Sequence, residues 1–481
     1  MSSTSTQRAH DPALPPGHSD PARDARRAAT GILIVLLAQL MLVLDATVVN
    51  VALPRIGTDL DFGPASLSWV LNGYALAFGG LLLLGGRIGD VFGRRRTFVT
   101  GLTMFTLFSL LGGLAPTAGL LVAARAGQGV GAALAAPSVL ALLTTSAPDA
   151  AARNRALALF AAVSSGGGTL GLLLGGLLTD LGSWRWTLFI NVPIGIAVLA
   201  TVRRFVTETP RRPGRFDVVG AVTATGAAVS IVWALIGAPE HGWVSTRTLG
   251  LLLLGLVLLG VLARTETRVA HPLLRPALLR SRRRVAGLVI MAGIVAAQFS
   301  MFYLVVQFLQ RVLDFGPLAS GLAFLPLTIG IFGMSRVTPR ILAALGPAPM
   351  LIVGSLGLTA SFAWLGMLDS GSSYAVGILG PMLLNGLAAG FCFLPVQVTV
   401  LDGVEPEHAG AASGLLQTMQ QLGGAVGLAV IASVYAANAV PGQFLPGLHE
   451  AFLAASTLAG LAVLAALTLV VRRPAAAPAL D

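Results

Sequence analysis

Residues 31–53 read GILIVLLAQLMLVLDATVVNVAL. A helix needs about 20 consecutive, mostly apolar residues to cross a bilayer core, and this run is long enough. It holds one ionisable group, Asp45, past its midpoint. A carboxylate at membrane depth is expensive on any scale, so it faces protein or a water-filled cavity and by default marks a functional site. Two readings follow: an acid that exchanges protons, or a structural acid neutralised by a neighbouring helix. Which neighbour Asp45 meets is the question the rest of the chain must answer.

The pattern repeats along the sequence. Of 481 residues, 55% are hydrophobic and 11% charged, with mean hydropathy +0.83; a soluble domain carries about 25% charged residues. The barrel signature of alternating ten-residue strands is absent, so the expected fold class is an all-α integral membrane protein. The 58 glycines suit helices that approach closely in lipid. Fourteen apolar segments of spanning length lie near 31–53, 66–88, 97–115, 118–144, 155–180, 187–205, 216–237, 247–263, 285–308, 318–337, 348–368, 373–400, 412–437 and 449–471. An even number puts both termini on one side. With that side taken as cytoplasm, 26 of the 31 basic residues, all Arg, fall in its loops and tails. Arg55, Arg185, Arg247 and Arg311 lie opposite, and Arg125 falls within a span. Such asymmetry orients a membrane protein, and it explains the net charge of +11 without nucleic acid. The first thirty residues are polar and Pro-rich and show no signal-peptide pattern.

The longest cytoplasmic connections, 203–216 and 264–284, bracket two segments, 216–237 and 247–263, whose interiors carry Thr and Ser but no charge. The expected organisation is therefore a disordered tail (1–30), a six-helix bundle (31–206), an inserted helix pair with its loops (207–284), a second six-helix bundle (285–472) and a tail (473–481). Paired bundles of six are a common way to place a transport site at the bilayer midplane.

Residues 86–96, GRIGDVFGRRR, follow the second segment. Gly86 and Gly93 permit tight turns, Asp90 can pair with Arg, and Arg94 and Arg95 face the cytoplasm. The spacing G-x-x-x-D-x-x-G-R-R resembles the signature loop of the major facilitator superfamily. Leu44–Pro54 (LDATVVNVALP) resembles the first-helix motif of the fourteen-helix drug:proton antiporters in that superfamily. Arg125–Gly131 (RAGQGVG), Trp184–Pro193 (WRWTLFINVP), Phe216–Gly220, Gly410–Gly414 and Gln421–Gly424 are similar to further motifs of the group. The likeness spans roughly residues 30–470. It implies a proton-coupled antiporter that exports lipophilic or cationic organic compounds, such as drugs or antibiotics, by alternating access. It also implies a proton-coupling role for Asp45 and Arg125, and a cytoplasmic gate formed by Gly86, Asp90, Gly93, Arg94 and Arg95. The expected location is a bacterial inner (cell) membrane, multi-pass, with both termini cytoplasmic.

One motif departs. The fifth-helix pattern G-x-x-x-G-P-x-x-G-G appears with Gly167, Gly171, Gly175 and Gly176 in place, but with Leu172 where proline is expected. The glycines still form a small-residue stripe at i, i+4 and i+8, whereas the fixed kink point is gone.

Arg125 stays protonated at any accessible pH, so it cannot carry the proton itself. It can bias a nearby carboxylate, hold a hydrogen-bond network, or clamp backbone carbonyls between helices. Gln128 lies on its face at i+3. On the first helix Gln39, Thr47 and Asn50 fall within about 80° of one another, and Asp45 is about 120° from Gln39. That stripe is expected to line the substrate cavity, together with Asn72, Tyr74, Gln128, Gln298, Phe302, Asn385 and Gln397. Asp45 is expected at a helix–helix contact or a side water pocket. His10, His18, His241, His271 and His408 lie in the tail or loops and His449 at the very start of the last span, so none is well inside a span, which argues against a histidine relay or a His-ligated metal. No phosphate-binding G-x-x-x-x-G-K occurs and the chain has no Lys, so the energy source is expected to be a proton gradient, with no cofactor. No span pairs carboxylates or a nucleophile with a base, so an enzyme is not expected. The expected partners are a small-molecule substrate, protons and the lipid bilayer, with no nucleic acid, and the chain is expected to be a monomer. A proton-linked carrier of a lipid, peptide or native metabolite is the alternative reading, and a pore or non-transporting sensor is a different class.

Overall fold

Helix is the only way an open chain satisfies every backbone polar group inside lipid, and the chain folds accordingly. A computed structural model describes residues 21–63, 65–209, 211, 217–268, 276–405, 409–440 and 443–470. The remainder of both tails, part of the two long loops, His10, His18, His271, His408 and the side chains of Gly410 and Ala411 lie outside the described residues. The first six helices are α1 (Pro21–Asp59), α2 (Trp69–Phe92), α3 (Arg94–Gly113), α4 (Ala118–Ser146), α5 (Ala150–Leu181), and a sixth that breaks at Ile190 into α6 (Trp186–Phe189) and α7 (Asn191–Phe205). Two more follow, α8 (Val218–His241) and α9 (Thr246–Glu266). After the short α10 (Pro276–Leu279) come α11 (Arg282–Arg311), α12 (Pro317–Leu322) leading into α13 (Leu325–Leu345), α14 (Pro347–Leu365), α15 (Gly380–Leu401), α16 (Ala409–Ala437) and α17 (Leu448–Val470).

Two details differ from the sequence expectation. Residues 21–30 are not tail: α1 begins at Pro21, because Ala- and Arg-rich sequence continues a helix readily and Pro suits its first turn. Thirteen of the described segments have the length and hydropathy to cross a membrane, and α3 is not among them. Its three leading arginines and its Thr, Ser and Gly residues dilute the apolar signal. With 20 residues it still extends about 30 Å, packed between α4 and α7.

α1 is surrounded by α4, α5 and α7, which buries most of its length. α8 lies against α2 and α16, where Leu76, Val232, Ile236, Ala425 and Ala429 form a separate apolar cluster. Trp233 meets Trp69 edge-on at 6.2 Å. α9 packs on α8 and exposes Leu253, Leu256 and Val257 outward, as a lipid-facing helix does.

At the end of the molecule away from the arginine-rich loops, the two halves close on each other. Gln310 of α11 donates to the Val51 carbonyl of α1 at 2.9 Å, and the end of α5 seats against α12. Nearer the middle, Thr169 of α5 donates to Thr328 of α13 at 3.0 Å.

Candidate functional site

The two intramembrane charges find each other. Arg125 Nη1 lies 2.6 Å from Asp45 Oδ2, with the side chains 1% and 0% exposed. An isolated charge so deep would cost several kcal/mol in desolvation, and a pair is tolerated only if hydrogen bonds satisfy the remaining atoms. Here they do. Asp45 Oδ1 accepts from Asn191 Nδ2 at 2.8 Å and from Gln128 Nε2 at 3.0 Å. Arg125 also donates to Gln128 Oε1 at 2.9 Å, and its Nε donates to the Val70 carbonyl at 3.1 Å. The guanidinium lies 4.6 Å from the centre of the Tyr74 ring, a cation–π contact. Ser109 of α3 receives from both Gln128 and Asn191 at 3.0 Å and donates to the Leu188 carbonyl at 2.8 Å. Five helices, α1, α2, α3, α4 and α7, thus meet at one buried ion pair.

The WRWTLFIN stretch grips α1 twice. Asn191 reaches Asp45, while Trp184 Nε1 and Arg185 Nη1 both donate to Asp59 Oδ2 at the helix end, at 2.8 and 2.7 Å. Arg185 also stacks 4.4 Å from the Trp184 ring. The break at Ile190 lets one short segment serve both points, which lie about 21 Å apart along the helix. The buried Asn191 Oδ1 has no hydrogen-bond partner.

The loop between α2 and α3 is organised by Gly93, whose φ of +106° favours glycine. Asp90 pairs with Arg94 at 2.7 Å, and Arg94 also donates to the Pro137 carbonyl of α4 at 3.2 Å. The backbone N–H groups of Arg95 and Arg96 donate to the two Glu208 carboxylate oxygens at 2.8 and 3.1 Å. Glu208 therefore occupies the positive end of α3, where a carboxylate is stabilised. These contacts all stay within the first six helices; the gate expected to latch the cytoplasmic side is, in this conformation, tied to α4 and to the loop after α7. A Cβ on Gly93 would stand 2.7 Å from the Glu208 carboxyl carbon. Gly93→Ala should destabilise the fold by about 1–3 kcal/mol. In a Glu208→Ala background the loss should be smaller, because only the backbone strain remains. Equal shifts of the thermal midpoint in both backgrounds would show that the carboxylate does not crowd this position.

The sequence profile of the Major Facilitator Superfamily matches residues 35–428. The chain belongs to the major facilitator superfamily. Among its relatives, the puromycin resistance protein pur8 of Streptomyces alboniger is 41% identical over 410 residues, 84% of this chain and 81% of that protein. The cephamycin export protein CmcT of Amycolatopsis lactamdurans is 41% identical over 420 residues, 85% of each. In overall fold the chain is similar to the crystal structure of the POT family transporter PepTSo (TM-score 0.67, 16% identity, covering 93% of this chain and 97% of that one).

The other residues singled out in this facilitator are dispersed. Tyr74 and Gln128 belong to the ion-pair cluster rather than to an open cavity. Gln39 donates to Ser164 of α5 at 3.1 Å, and Thr47 lies against α5 at Gly171. Asn50 is buried and donates to the carbonyls of Ala46 and Thr47 in its own helix. Asn72 is buried with no partner for either side-chain atom. Gln298 is buried on α11, Phe302 stacks on Phe324 at 5.4 Å, Asn385 donates to Ser361 of α14 at 3.3 Å, and Gln397 is exposed. The glycine stripe of α5 runs along α1 at Val43, Thr47 and Val48, and Gly176 turns instead to Pro317. Leu172 is buried and α5 is an unbroken helix through it.

Sequence reasoning gave Asn191 no role beyond its motif and passed over Ser109 and Glu208. Asn191, a polar residue next to a Val-Pro in an apolar segment, carried a signal. Ser109 carried none, since hydroxyls in membrane helices commonly bond their own backbone.

Proposed function

We propose that this facilitator is a proton-coupled antiporter that exports lipophilic or cationic organic compounds by alternating access. The carrying observation is the sealed Asp45–Arg125 pair. Protonation of Asp45 removes the charge that offsets Arg125 and strands a buried guanidinium, an arrangement costing several kcal/mol. The cluster then favours a conformation in which water reaches Arg125, so one proton biases a two-state bundle. Asn191 Oδ1 is the acceptor that a protonated Asp45 requires: turning the amide over replaces a donor by an acceptor at 2.8 Å.

The named activities of the relatives, puromycin resistance and cephamycin export, support an organic antibiotic or drug as cargo. The arginine distribution supports cytoplasmic termini in a bacterial cell membrane, and with that orientation the closed end faces outward. Two six-helix units would rock about the midplane, with α8 and α9 covering the α2–α16 seam. The gradient supplies the energy and one chain suffices.

The test is proton flux in proteoliposomes containing the purified chain and a trapped pH dye. Adding puromycin on the side from which it is loaded should trigger a saturable proton movement in the opposite direction. Saturable puromycin exchange without proton flux would overturn the coupling, and an unsaturable leak would indicate a pore. Neither flux nor exchange with puromycin or a cephamycin, but proton-linked uptake of a peptide or lipid, would replace the export reading by the carrier one.

A further inference from the structure

Where α3 begins and α7 ends, the surface holds a cavity of about 450 Å³ lined by Arg95, Arg96, Arg203, Val99 and Thr100. Three guanidinium groups share one concavity, and like charges at such distances repel unless an anion lies between them. The acid at hand, Glu208, is already committed to the backbone of Arg95 and Arg96 and lies 3.9 Å from the Arg95 side chain. Arg95 is further held by donating to the Val206 carbonyl at 3.0 Å. Arg96 and Arg203 are exposed and, among the described residues, have no acidic partner. More positive charge stands beside them, since Arg27 donates to the Arg204 carbonyl at 3.0 Å.

Arginines that only orient a membrane protein need nothing but water around their heads. These line a hollow whose remaining wall, Val99 and Thr100, belongs to a helix that continues into the hydrocarbon region. Further along the same seam Gly195 of α7 meets Thr106 of α3, and the neighbouring Leu107 and Ile196 are 51% and 58% exposed. A basic hollow opening onto an apolar seam fits a ligand with an anionic head and a hydrocarbon tail.

We propose that this cavity binds the phosphate headgroup of an anionic phospholipid, with Arg96 and Arg203 clasping the phosphate and the acyl chains lying along the α3–α7 seam. The volume accommodates a glycerophosphate head. The site stands outside the ion-pair cluster and does not depend on the coupling reading. It does adjoin Glu208 and the α2–α3 loop, so an occupied site stiffens that loop.

The purified full chain is titrated with phosphatidylglycerol, phosphatidylcholine or glycerol phosphate, and the thermal midpoint is read. Phosphatidylglycerol should raise the midpoint and phosphatidylcholine should not. Arg96→Gln with Arg203→Gln should weaken the phosphatidylglycerol response at least tenfold in concentration. Arg264→Gln with Arg268→Gln, an equal charge change at exposed residues of α9 and its end, should leave the response unchanged. The proposal is overturned if the Arg96/Arg203 variant keeps the full response, if both double variants lose it equally, or if phosphatidylcholine acts as well. It is also overturned if glycerol phosphate alone reproduces the shift, since the site would then hold a free anion. Both variants alter exposed side chains, and their midpoints without lipid report whether they fold.

Discussion

Asp45→Asn is expected to abolish gradient-driven transport while substrate exchange in the absence of a gradient persists. The substituted amide keeps the shape of the carboxyl group and can still accept from Asn191 or Gln128, but it neither takes a proton nor offsets Arg125. The stability cost comes from the stranded partner. Breaking a buried ion pair by removing one member typically costs about 3–5 kcal/mol, whereas removing both leaves no uncompensated charge. Arg125→Gln alone and Asp45→Asn alone should therefore each lower the thermal midpoint markedly. The double variant Asp45→Asn/Arg125→Gln should recover most of that loss, yet transport no better than the single variants. Thermal melts of the three purified proteins beside the wild type, read with uptake in the same liposomes, separate the two roles. A double variant less stable than either single would show that the pair is not held as an ion pair. Gradient-driven transport surviving in Asp45→Asn would place coupling elsewhere.

Two neighbouring glycines should give opposite outcomes. A Cβ on Gly175 would lie 2.2 Å from the Val48 carbonyl oxygen of α1, a contact inside the first six helices. One on Gly176 would lie 2.6 Å from the Pro317 oxygen and 2.9 Å from Leu318 Cα, a contact between the two halves. Backbone cannot yield as a flexible side chain does, so both substitutions force a separation. Gly175→Val separates α1 from α5 in every conformation and should prevent accumulation of folded protein. Gly176→Val collides only while this end is closed, so it should fold and settle in the conformation open there. With Leu318→Cys as reporter and the buried Cys392 replaced by Ala, Gly176→Val should speed labelling by a membrane-impermeant thiol reagent. An acceleration of about tenfold or more corresponds to roughly 1.4 kcal/mol of shift. Unchanged labelling would mean that the α5–α12 contact does not open during the cycle.

Much of the fold can be read from the chain because lipid leaves few choices. Runs of about 20 apolar residues in lipid must be helices. α3 was legible by its length and position, although its composition falls below the usual hydropathy. Asp45 and Arg125 stood out for the same reason, since each is a charge where charges are expensive. The helical wheel also turned Asp45 away from Gln39, and in the fold Gln39 meets Ser164 of α5 while Asp45 meets α4 and α7.

What the wheel cannot supply is the partner. Asp45 and Arg125 are 80 residues apart, Asp45 and Asn191 146 apart, and Arg95 and Glu208 113 apart. Periodicity within one helix says which residues share a face, not which face of another helix arrives opposite. Ser109 shows the limit most plainly: alone it is an unremarked hydroxyl, and only the convergence of α3, α4 and α7 makes it the acceptor between Gln128 and Asn191. The sequence by itself determined that this is a helical membrane protein with costly charges at Asp45 and Arg125. That the two neutralise each other, that Glu208 seats on α3, and that the halves meet at Gly176 was decided by tertiary structure. Such contacts depend on how closely helices distant in sequence can approach, and on which donors are left to satisfy a charge once water is gone.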